Sequence, residues 1–207
     1  MQASPFRSVA DGSTPAGVVL AGGASSRMGL DKALLEESGE SLARRAAGRL
    51  AGVCPEVMVA DGGRGLVPGL GSVADGPGKG PAAGILGAAA IHPGRPLLVL
   101  ACDLPAVPPS LLAEIAASPG DLVLPRWEGR AEPLCALYGP AALAALAGQV
   151  AHGRFALHEL AGLEGLAVRW LDEERLTVHG RPAAMFLNLN TPEDLERWRA
   201  LRALDGV

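Results

Sequence analysis

The chain has 207 residues, 49% of them hydrophobic and 19% charged, which fits one globular domain with a substantial core. The formal net charge is −4, aromatic residues make up 3%, and Lys and Arg form no basic stripe, which disfavours extended nucleic-acid binding. The three cysteines include no CxxC pair, which disfavours a zinc site, and no apolar stretch is long enough to span a membrane. Residues 1–15 lack a secretory signal, so we expect a flexible leader, a single domain over residues 16–207 and a cytoplasmic location.

Apolar runs of strand length alternate with Ala- and Leu-rich helical stretches, and Gly and Pro clusters separate them. In chain order, the pattern predicts a strand at Ala16–Leu20, a helix over Ser41–Ala51 with Ser41 as N-cap, a strand at Glu56–Ala60, a helix over Pro81–Ile91, a strand at Pro96–Ala101, a helix over Pro108–Ser118 and a strand at Asp121–Pro125. The alternation continues through Pro133–Tyr138, Pro140–Gln149 and Leu166–Leu171 to a short strand at Ala184–Leu187 and a helix from Pro192 with Thr191 as N-cap.

Continuously apolar strands separated by helices predict an α/β fold, with a three-layer, mainly parallel, Rossmann-like sheet and helices on both faces. Ligands of such sheets bind beyond the carboxyl ends of the strands. Polar or glycine-rich residues follow predicted strands there, namely LAGG at 20–23, Asp103, Asn188 and Asn190. We therefore expect the functional site at this edge of the sheet.

The segment Gly22–Lys32, GGASSRMGLDK, directly follows the first predicted strand. Glycines at such a place let main-chain N–H groups approach phosphate oxygens closely, and Arg27 and Lys32 supply positive charge. The spacing fits neither a Walker A loop, which needs GxxxxGK[ST], nor the GxGxxG dinucleotide fingerprint. The segment is therefore predicted to bind a triphosphate in a different way.

The longer segment Leu20–Leu35 resembles the LAGGxSxRMGxDKxLL pattern of the molybdenum cofactor guanylyltransferases (MobA), within the broader MobA-like nucleotidyltransferases. Further similar segments follow in the family's order, at Val73–Gly84, Ala101–Pro105, Glu132–Tyr138 and Phe186–Leu195, whereas Leu143–Leu171 matches poorly. The resemblance implies a fold of the nucleotide-diphospho-sugar transferase type.

Asp103 leaves an apolar strand beside Pro105, and a carboxylate there is costly to bury unpaired. A hard cation would stabilise it, because Mg²⁺ takes one or two carboxylates and otherwise prefers water and phosphate oxygens. The alternative is an N-cap for the helix near Pro108. The family resemblance also assigns Asp103 to the metal, with Asn190 as a second candidate ligand.

The identity of the base depends on a few positions. The resemblance implies that Asp75 contacts the nucleotide near its base or ribose, although a turn residue is the alternative. Where many family members carry Asn after the second strand, this chain has Ala60 and then Asp61, which could accept hydrogen bonds from guanine. Gly22 leaves room for a purine and favours GTP. The expected nucleotide contacts are Leu20, Ala21, Gly22, Gly23, Lys32, Asp61, Asp75 and Asp103.

The resemblance implies that a phosphate of molybdopterin attacks the α-phosphorus of GTP and releases pyrophosphate. Arg27, Lys32 and Asp103 would be catalytic, by positioning and charge stabilisation. Molybdenum-insertion and apo-molybdoenzyme proteins are possible partners, and Glu132–Tyr138 and Arg154 are candidates for the acceptor side. The alternatives are a relative that uses CTP or a sugar-phosphate acceptor, and a scaffold that delivers the cofactor without catalysis.

Overall fold

The computed structural model describes residues 14–22, 32–37, 39–189, 191, 193–194, 196–198 and 200, without the side chain of Lys32. The strands are β1 (Ala16–Leu20), β2 (Glu36–Glu37), β3 (Glu40–Ser41), β4 (Val57–Ala60), β5 (Gly71–Val73), β6 (Leu97–Ala101), β7 (Leu122–Trp127), β8 (Arg130–Ala131), β9 (Cys135–Tyr138) and β10 (Val168–Leu171). The helices are α1 (Leu42–Ala51), α2 (Pro81–Ile91), α3 (Pro109–Ala117), α4 (Pro140–Ala151), α5 (Glu173–Thr177) and α6 (Pro182–Met185), and 3₁₀ turns lie at Lys32–Leu34 and Leu157–Gly162.

The central sheet has the strand order β10-β7-β9-β6-β1-β4-β5, and β8 pairs with the end of β7. Strands β6, β1, β4 and β5 are mutually parallel, whereas β9 runs antiparallel to both β6 and β7. The predicted α/β class with a mainly parallel sheet is therefore confirmed. Strand β1 is fully buried because helices cover the sheet on both sides.

Two hydrophobic clusters lie on the opposite faces of the sheet. One cluster packs α1 and α3 against the sheet, with Leu50 and Ile115 fully buried, and the other packs α2 and α4, with Ile85 and Leu146 fully buried. Helix α1 begins as predicted, because the Ser41 hydroxyl accepts a hydrogen bond from the Arg44 N–H at 3.3 Å. These layers fix the strands whose ends form the site.

The predicted strand at Ala184–Leu187 is wrong, because this part of the chain forms α6. Pro182 at the first helical position and the alanines after it favour a helical turn, in which the Phe186 N–H donates to the Pro182 carbonyl at 3.0 Å. The predicted cap at Thr191 is confirmed. Its hydroxyl accepts from the Asp194 N–H at 3.1 Å, and the Asp194 carboxylate accepts from the Thr191 N–H at 2.9 Å.

Among the described residues, no helix combines the length and the apolar character needed to cross a membrane. Cys54, Cys102 and Cys135 are buried and form no disulfide with one another. Burial raises the pKa of the Cys54 thiol to about 11. Each cysteine therefore packs as a small hydrophobic residue.

Candidate active site

The carboxyl ends of the parallel strands lie side by side and define the candidate site. Leu20 at the end of β1 is in register with Ala60 of β4 and with Ala101 of β6, and Ala60 is in register with Val73 of β5. The residues that follow these strands must therefore leave the sheet at the same edge. This topology brings the turns that carry Gly22, Asp61, Asp75 and Asp103 to one edge, as the sequence predicted for Gly22 and Asp103.

The chain leaves β1 through a short extension of the sheet. The Ala21 N–H donates to the Ala60 carbonyl at 3.0 Å, and the Leu20 carbonyl accepts from the Cys102 N–H at 3.1 Å. Leu20 and Ala21 are buried, whereas Gly22 is exposed. A Cβ atom added to Gly22 would have the Ala60 carbonyl oxygen, at 3.6 Å, as its neighbour within 4 Å. Among the described residues, no other atom comes within 4 Å of that position.

Part of the predicted site lies outside the described residues. Gly23, Arg27 and Asn190 belong to that part, and so does the side chain of Lys32. The main chain of Lys32 is described and begins the 3₁₀ turn at Lys32–Leu34. The roles predicted for these residues stay predictions.

The turn after β4 is organised by the carboxylate of Asp61, which is 1% exposed. Its Oδ1 accepts hydrogen bonds from the N–H groups of Gly63 and Arg64, both at 3.1 Å, and from the Ser72 hydroxyl at 2.5 Å. Its Oδ2 accepts from the Leu66 N–H at 2.8 Å. Burial alone would raise the pKa of Asp61, but the hydrogen bonds from Ser72, Leu66, Arg64 and Gly63 outweigh it and hold the pKa below its ordinary value.

This geometry corrects the expected contact between Asp61 and guanine. Both carboxylate oxygens are occupied by donors from the chain itself, and the side chain is almost fully buried. A base at the sheet edge cannot reach these oxygens in the described conformation. Asp61 therefore stabilises the turn. Groups near it, and not its own carboxylate, would have to recognise the base at this edge.

Asp75 lies next to that turn and is exposed. Its Oδ2 would be 3.9 Å from a Cβ atom added to Gly62. The loop is held by main-chain packing on α2, where a Cβ at Gly87 would lie 2.1 Å from the Ala74 carbonyl oxygen and one at Gly76 would lie 2.6 Å from the Gly87 nitrogen. The Gly76 N–H also donates to the Ala83 carbonyl at 2.8 Å. An exposed carboxylate is thus presented on a firmly held loop.

Asp103 follows β6 at the same edge and is partly exposed. A tight turn joins the Leu104 N–H to the Ala101 carbonyl at 3.3 Å, and the Asp103 carbonyl accepts from the Leu189 N–H at 3.0 Å. Its alternative role as a helix N-cap is excluded, because α3 is preceded by Pro108 in the cap position. The carboxylate therefore stands at a strand end, beside the chain segment that leads to Asn190.

Oxygen ligands for a metal are sparse in the described part of the chain. There, no group of three or more His, Cys, Asp or Glu side chains is placed to hold an ion. A partly exposed single carboxylate such as Asp103 suits Mg²⁺, which commonly binds through one or two carboxylates and completes its shell with phosphate oxygens and water. The described donors therefore fit a metal that arrives with a nucleotide.

Comparisons with known proteins agree with this geometry. Residues 17–163 match the MobA-like NTP transferase domain. The chain belongs to the MobA-like NTP transferase family. It is 37% identical over 211 residues to the molybdenum cofactor guanylyltransferase of Rhizobium johnstonii, an alignment that covers 93% of this chain and 97% of that protein. The probable molybdenum cofactor guanylyltransferase of Pelotomaculum thermopropionicum is 36% identical over 190 residues, which cover 89% of this chain and 92% of that protein.

The fold agrees as well. The crystal structure of molybdopterin-guanine dinucleotide biosynthesis protein A from Archaeoglobus fulgidus superposes with a TM-score of 0.75 at 25% identity, covering 91% of this chain and 98% of that one. The expected nucleotide-diphospho-sugar transferase architecture is thereby confirmed, and so is the family resemblance. The chain is a nucleotidyltransferase of the MobA-like family.

Arg64 is a residue of this MobA-like site that the sequence reasoning missed. Its Nε donates to the Asp61 carbonyl at 2.6 Å, and its Nη2 donates to the Ala21 carbonyl at 2.7 Å. A signal was present in the sequence, because Asp61–Gly65 reads DGGRG and places glycines and a cation directly after a strand. Glycines and cations directly after a strand were also the reason for selecting the segment Gly22–Lys32.

One of the acceptor-side candidates, Glu132–Tyr138, lies across β6 from Arg64. The Leu134 carbonyl accepts from the Ala101 N–H at 2.8 Å, so the start of the predicted acceptor strand adjoins the turn of Asp103. Glu132 is partly buried there, and burial raises the pKa of its carboxyl to about 7 although Arg130 lowers it. Arg154 is engaged by Glu159, since its Nε lies 2.8 Å from a carboxylate oxygen. Of these candidates, Glu132 therefore has the more unusual environment.

Proposed function

We propose that this protein transfers the GMP moiety of GTP to the terminal phosphate of molybdopterin and releases pyrophosphate. The observation that supports this most directly is the convergence of Gly22, Asp75 and Asp103 at one edge of a MobA-like sheet. Relatives that align over nearly the whole chain carry the name molybdenum cofactor guanylyltransferase. The function predicted from the sequence agrees with those names.

The reaction needs no nucleophile from the protein. An oxygen of the acceptor phosphate, which is ionised at neutral pH, attacks the α-phosphorus of GTP, and the bond from that phosphorus to the bridging oxygen of the β-phosphate breaks. The electron pair of the broken bond leaves with pyrophosphate, so the total charge is the same before and after the reaction. The protein contributes by positioning the two phosphates and by stabilising the charge that moves to the leaving group.

Each part of the edge has a task in this proposal. The N–H groups from Gly22 onward bind phosphate oxygens, and Arg27 and Lys32 neutralise the leaving pyrophosphate. Asp103 is the carboxylate that would hold Mg²⁺, with Asn190 as a further ligand. When bound, Mg²⁺ supplies positive charge at the phosphate oxygens.

The proposal favours a purine nucleotide. Gly22 has no side chain to crowd the larger base, and the exposed carboxylate of Asp75 is the kind of acceptor that guanine's N1–H and N2–H₂ groups require. Arg64 joins the exit of β1, at the Ala21 carbonyl, to the turn after β4, at the Asp61 carbonyl. Hand-over of the product to molybdenum-insertion or apo-molybdoenzyme proteins stays a prediction.

A pyrophosphate-release assay tests this function. The protein is supplied with GTP, CTP or ATP in a magnesium buffer, with and without molybdopterin. We expect release that requires both GTP and molybdopterin and stops when the magnesium is chelated. A preference for CTP would identify a cytidylyltransferase, and GTP binding without release would favour a scaffold that delivers the cofactor.

A further inference from the structure

Arg64 connects two strand exits at the edge of the sheet where the nucleotide is proposed to bind. Its guanidinium donates one hydrogen bond to the Asp61 carbonyl, at 2.6 Å, and another to the Ala21 carbonyl, at 2.7 Å. The first carbonyl belongs to the turn after β4 and the second to the exit of β1. A guanidinium can make both contacts at once because its donors are fixed in a planar fork.

The contact to Ala21 determines the orientation of the next amide. The Ala21 carbonyl and the Gly22 N–H belong to the same planar trans peptide, so they point in opposite directions. When Arg64 holds the carbonyl, the Gly22 N–H is directed to the opposite side of the chain. Within the described residues this N–H has no acceptor, and Gly22 itself is exposed. The first amide of the glycine-rich segment is thus directed away from Arg64.

Arg64 is itself held in place by the turn. The Arg64 N–H donates to the buried Asp61 carboxylate at 3.1 Å, and the same carboxylate accepts from the Ser72 hydroxyl and the Leu66 N–H. Gly62, with a φ of +71°, adopts a conformation that favours glycine and brings the turn back toward β1. The buried carboxylate, the arginine and the first amide of the segment therefore form one connected chain of contacts.

We propose that Arg64 is a positioning residue of the nucleotide site, whose fork holds the Ala21–Gly22 peptide with its N–H toward the bound nucleotide. This inference rests on the proposed function, because it takes GTP to bind at this edge of the sheet. It adds a role for a residue that need not touch the nucleotide. The competing account is that Arg64 contributes positive charge to the phosphates.

A lysine in place of Arg64 separates the two accounts. Arg64→Lys keeps the positive charge, but an ammonium group cannot donate to both carbonyls from a planar fork. Arg64→Ala removes the charge and the fork together. If the fork is what matters, the two variants lose GTP affinity to a similar extent, whereas a pure charge effect leaves Arg64→Lys close to the wild type.

Arg95 provides a matched control at the other end of the same strands. Its Nε donates to the Thr14 carbonyl before β1, at 2.9 Å, and its Nη1 lies 2.7 Å from a carboxylate oxygen of Glu56, just before β4. Arg95→Ala therefore removes an arginine that also bridges β1 and β4, but at the amino-terminal edge. It reports what the loss of such a bridge costs in stability alone.

The experiment measures the Kd for GTP, the KM for GTP, the KM for molybdopterin and the melting temperature of all four proteins. We expect the Kd and KM for GTP to rise about 10- to 100-fold in both Arg64 variants, with the KM for molybdopterin unchanged. Arg95→Ala should keep its GTP affinity within about twofold of the wild type. In ¹⁵N-labelled protein, the Gly22 amide signal should shift in Arg64→Lys and stay in place in Arg95→Ala.

Two results overturn the inference. One is an Arg64→Lys variant that binds GTP as tightly as the wild type does. The other is a loss of GTP affinity in Arg64→Ala that is no larger than the loss in Arg95→Ala. If Arg64→Ala does not fold, the GTP affinity of Arg64→Lys and its Gly22 amide signal still distinguish positioning by the guanidinium from a pure charge effect. The proposed function is judged separately on the wild type, and if that protein uses CTP, the same comparison is made with CTP. A wild type that binds no nucleotide refutes both proposals.

Discussion

The two ends of strands β1 and β4 use the same residue type in different ways. At the amino-terminal edge, Arg95 bridges the strands by pairing with the exposed carboxylate of Glu56, and His92 lies 3.1 Å from that carboxylate. At the carboxyl edge, Arg64 bridges them through two main-chain carbonyls, next to a buried carboxylate that accepts main-chain amides. Arg95 also donates to the Thr14 carbonyl, but exposed ion pairs contribute only about 0–1 kcal/mol each, so the pair with Glu56 adds little stability at the first edge.

The difference shows where the molecule needs fixed geometry. Charged side chains that bind main-chain groups determine the direction of individual peptides, whereas charged side chains that bind one another can move together without consequence. The two contacts of Arg64 described above are of the first kind, whereas Arg95 divides its contacts between the Thr14 carbonyl and the Glu56 carboxylate. The strand exits of the proposed active site lie at the edge of Arg64. The following predictions test this contrast, from the largest expected effect to the smallest.

The largest effect is expected for Asp103→Asn. The substitution keeps the size of the side chain, and the main-chain carbonyl still accepts from the Leu189 N–H, so the fold should persist. Loss of the charge that is proposed to hold the metal should lower kcat/KM for pyrophosphate release about 10³-fold. Glu56→Gln at the opposite edge should leave kcat/KM unchanged, and an equal loss in both variants would contradict the contrast between the edges.

Asp61→Asn should destabilise the protein by about 2–4 kcal/mol in urea unfolding, because an amide nitrogen cannot accept the hydrogen bonds that a carboxylate oxygen accepts. The sign of the pH effect follows from the lowered pKa. A carboxyl whose pKa is lower in the folded state stabilises the protein above its unfolded pKa, near 3.8, and loses this contribution as the pH falls.

Asp61→Asn should therefore lose less stability than the wild type when the pH falls below the unfolded pKa of Asp61, near 3.8. Its melting temperature, followed from neutral to acidic pH by circular dichroism, provides the measurement. Parallel curves for the two proteins would show that Asp61 does not organise the turn as an ionised group.

Glu132→Gln, on the predicted acceptor side, tests a pH dependence of stability that is opposite in sign to that of Asp61. The folded state raises the pKa of this carboxyl from 4.5 to about 7, so the wild type loses stability as the pH rises through that window. Glutamine has no proton to lose, and the variant should gain up to roughly 3 kcal/mol relative to the wild type between pH 4 and pH 8. Urea unfolding at both pH values measures the gain, and an identical difference at the two values would refute the prediction.

The smallest effect is expected for Gly22→Ala. A Cβ atom there meets the Ala60 carbonyl oxygen at an ordinary contact distance of 3.6 Å, so the fold should be kept. The methyl group would occupy space proposed for the nucleotide and should raise the KM for GTP about tenfold. Gly48→Ala in α1 is the control, since no atom lies within 4 Å of its Cβ position. It should stabilise the helix by about 0.5–1 kcal/mol without changing the KM.

The sequence predicted the parts of the fold that depend on local pattern. The bounds of β1 and α2 agree with the prediction, and the placement of Gly22 and Asp103 at one edge followed from the parallel arrangement. These features follow from apolar runs, proline at a helix start and the known direction of parallel strands. Such signals lie within a few residues of one another.

The role of Asp61 could not be predicted in the same way. Its partners include Ser72, which is 11 residues away on a short strand of Gly71–Val73 that has little apolar character. Whether a carboxylate binds a base or its own chain depends on such distant donors. The error at Ala184–Leu187 has another cause, because a short Ala-rich segment fits a strand or a helical turn, and the neighbouring Pro182 decides between them.

The contact between Gly76 and Gly87 has a mechanical consequence. Main chain meets main chain there, so no side-chain rotamer lies between the loop and α2 to absorb a displacement. Any sliding of α2 along the sheet would move the Asp75 carboxylate by a similar distance. The helix itself consists of apolar residues that are buried from Ala82 to Ala88. The precision with which this exposed carboxylate is held thus derives from the close packing of a helix that carries no charge of its own.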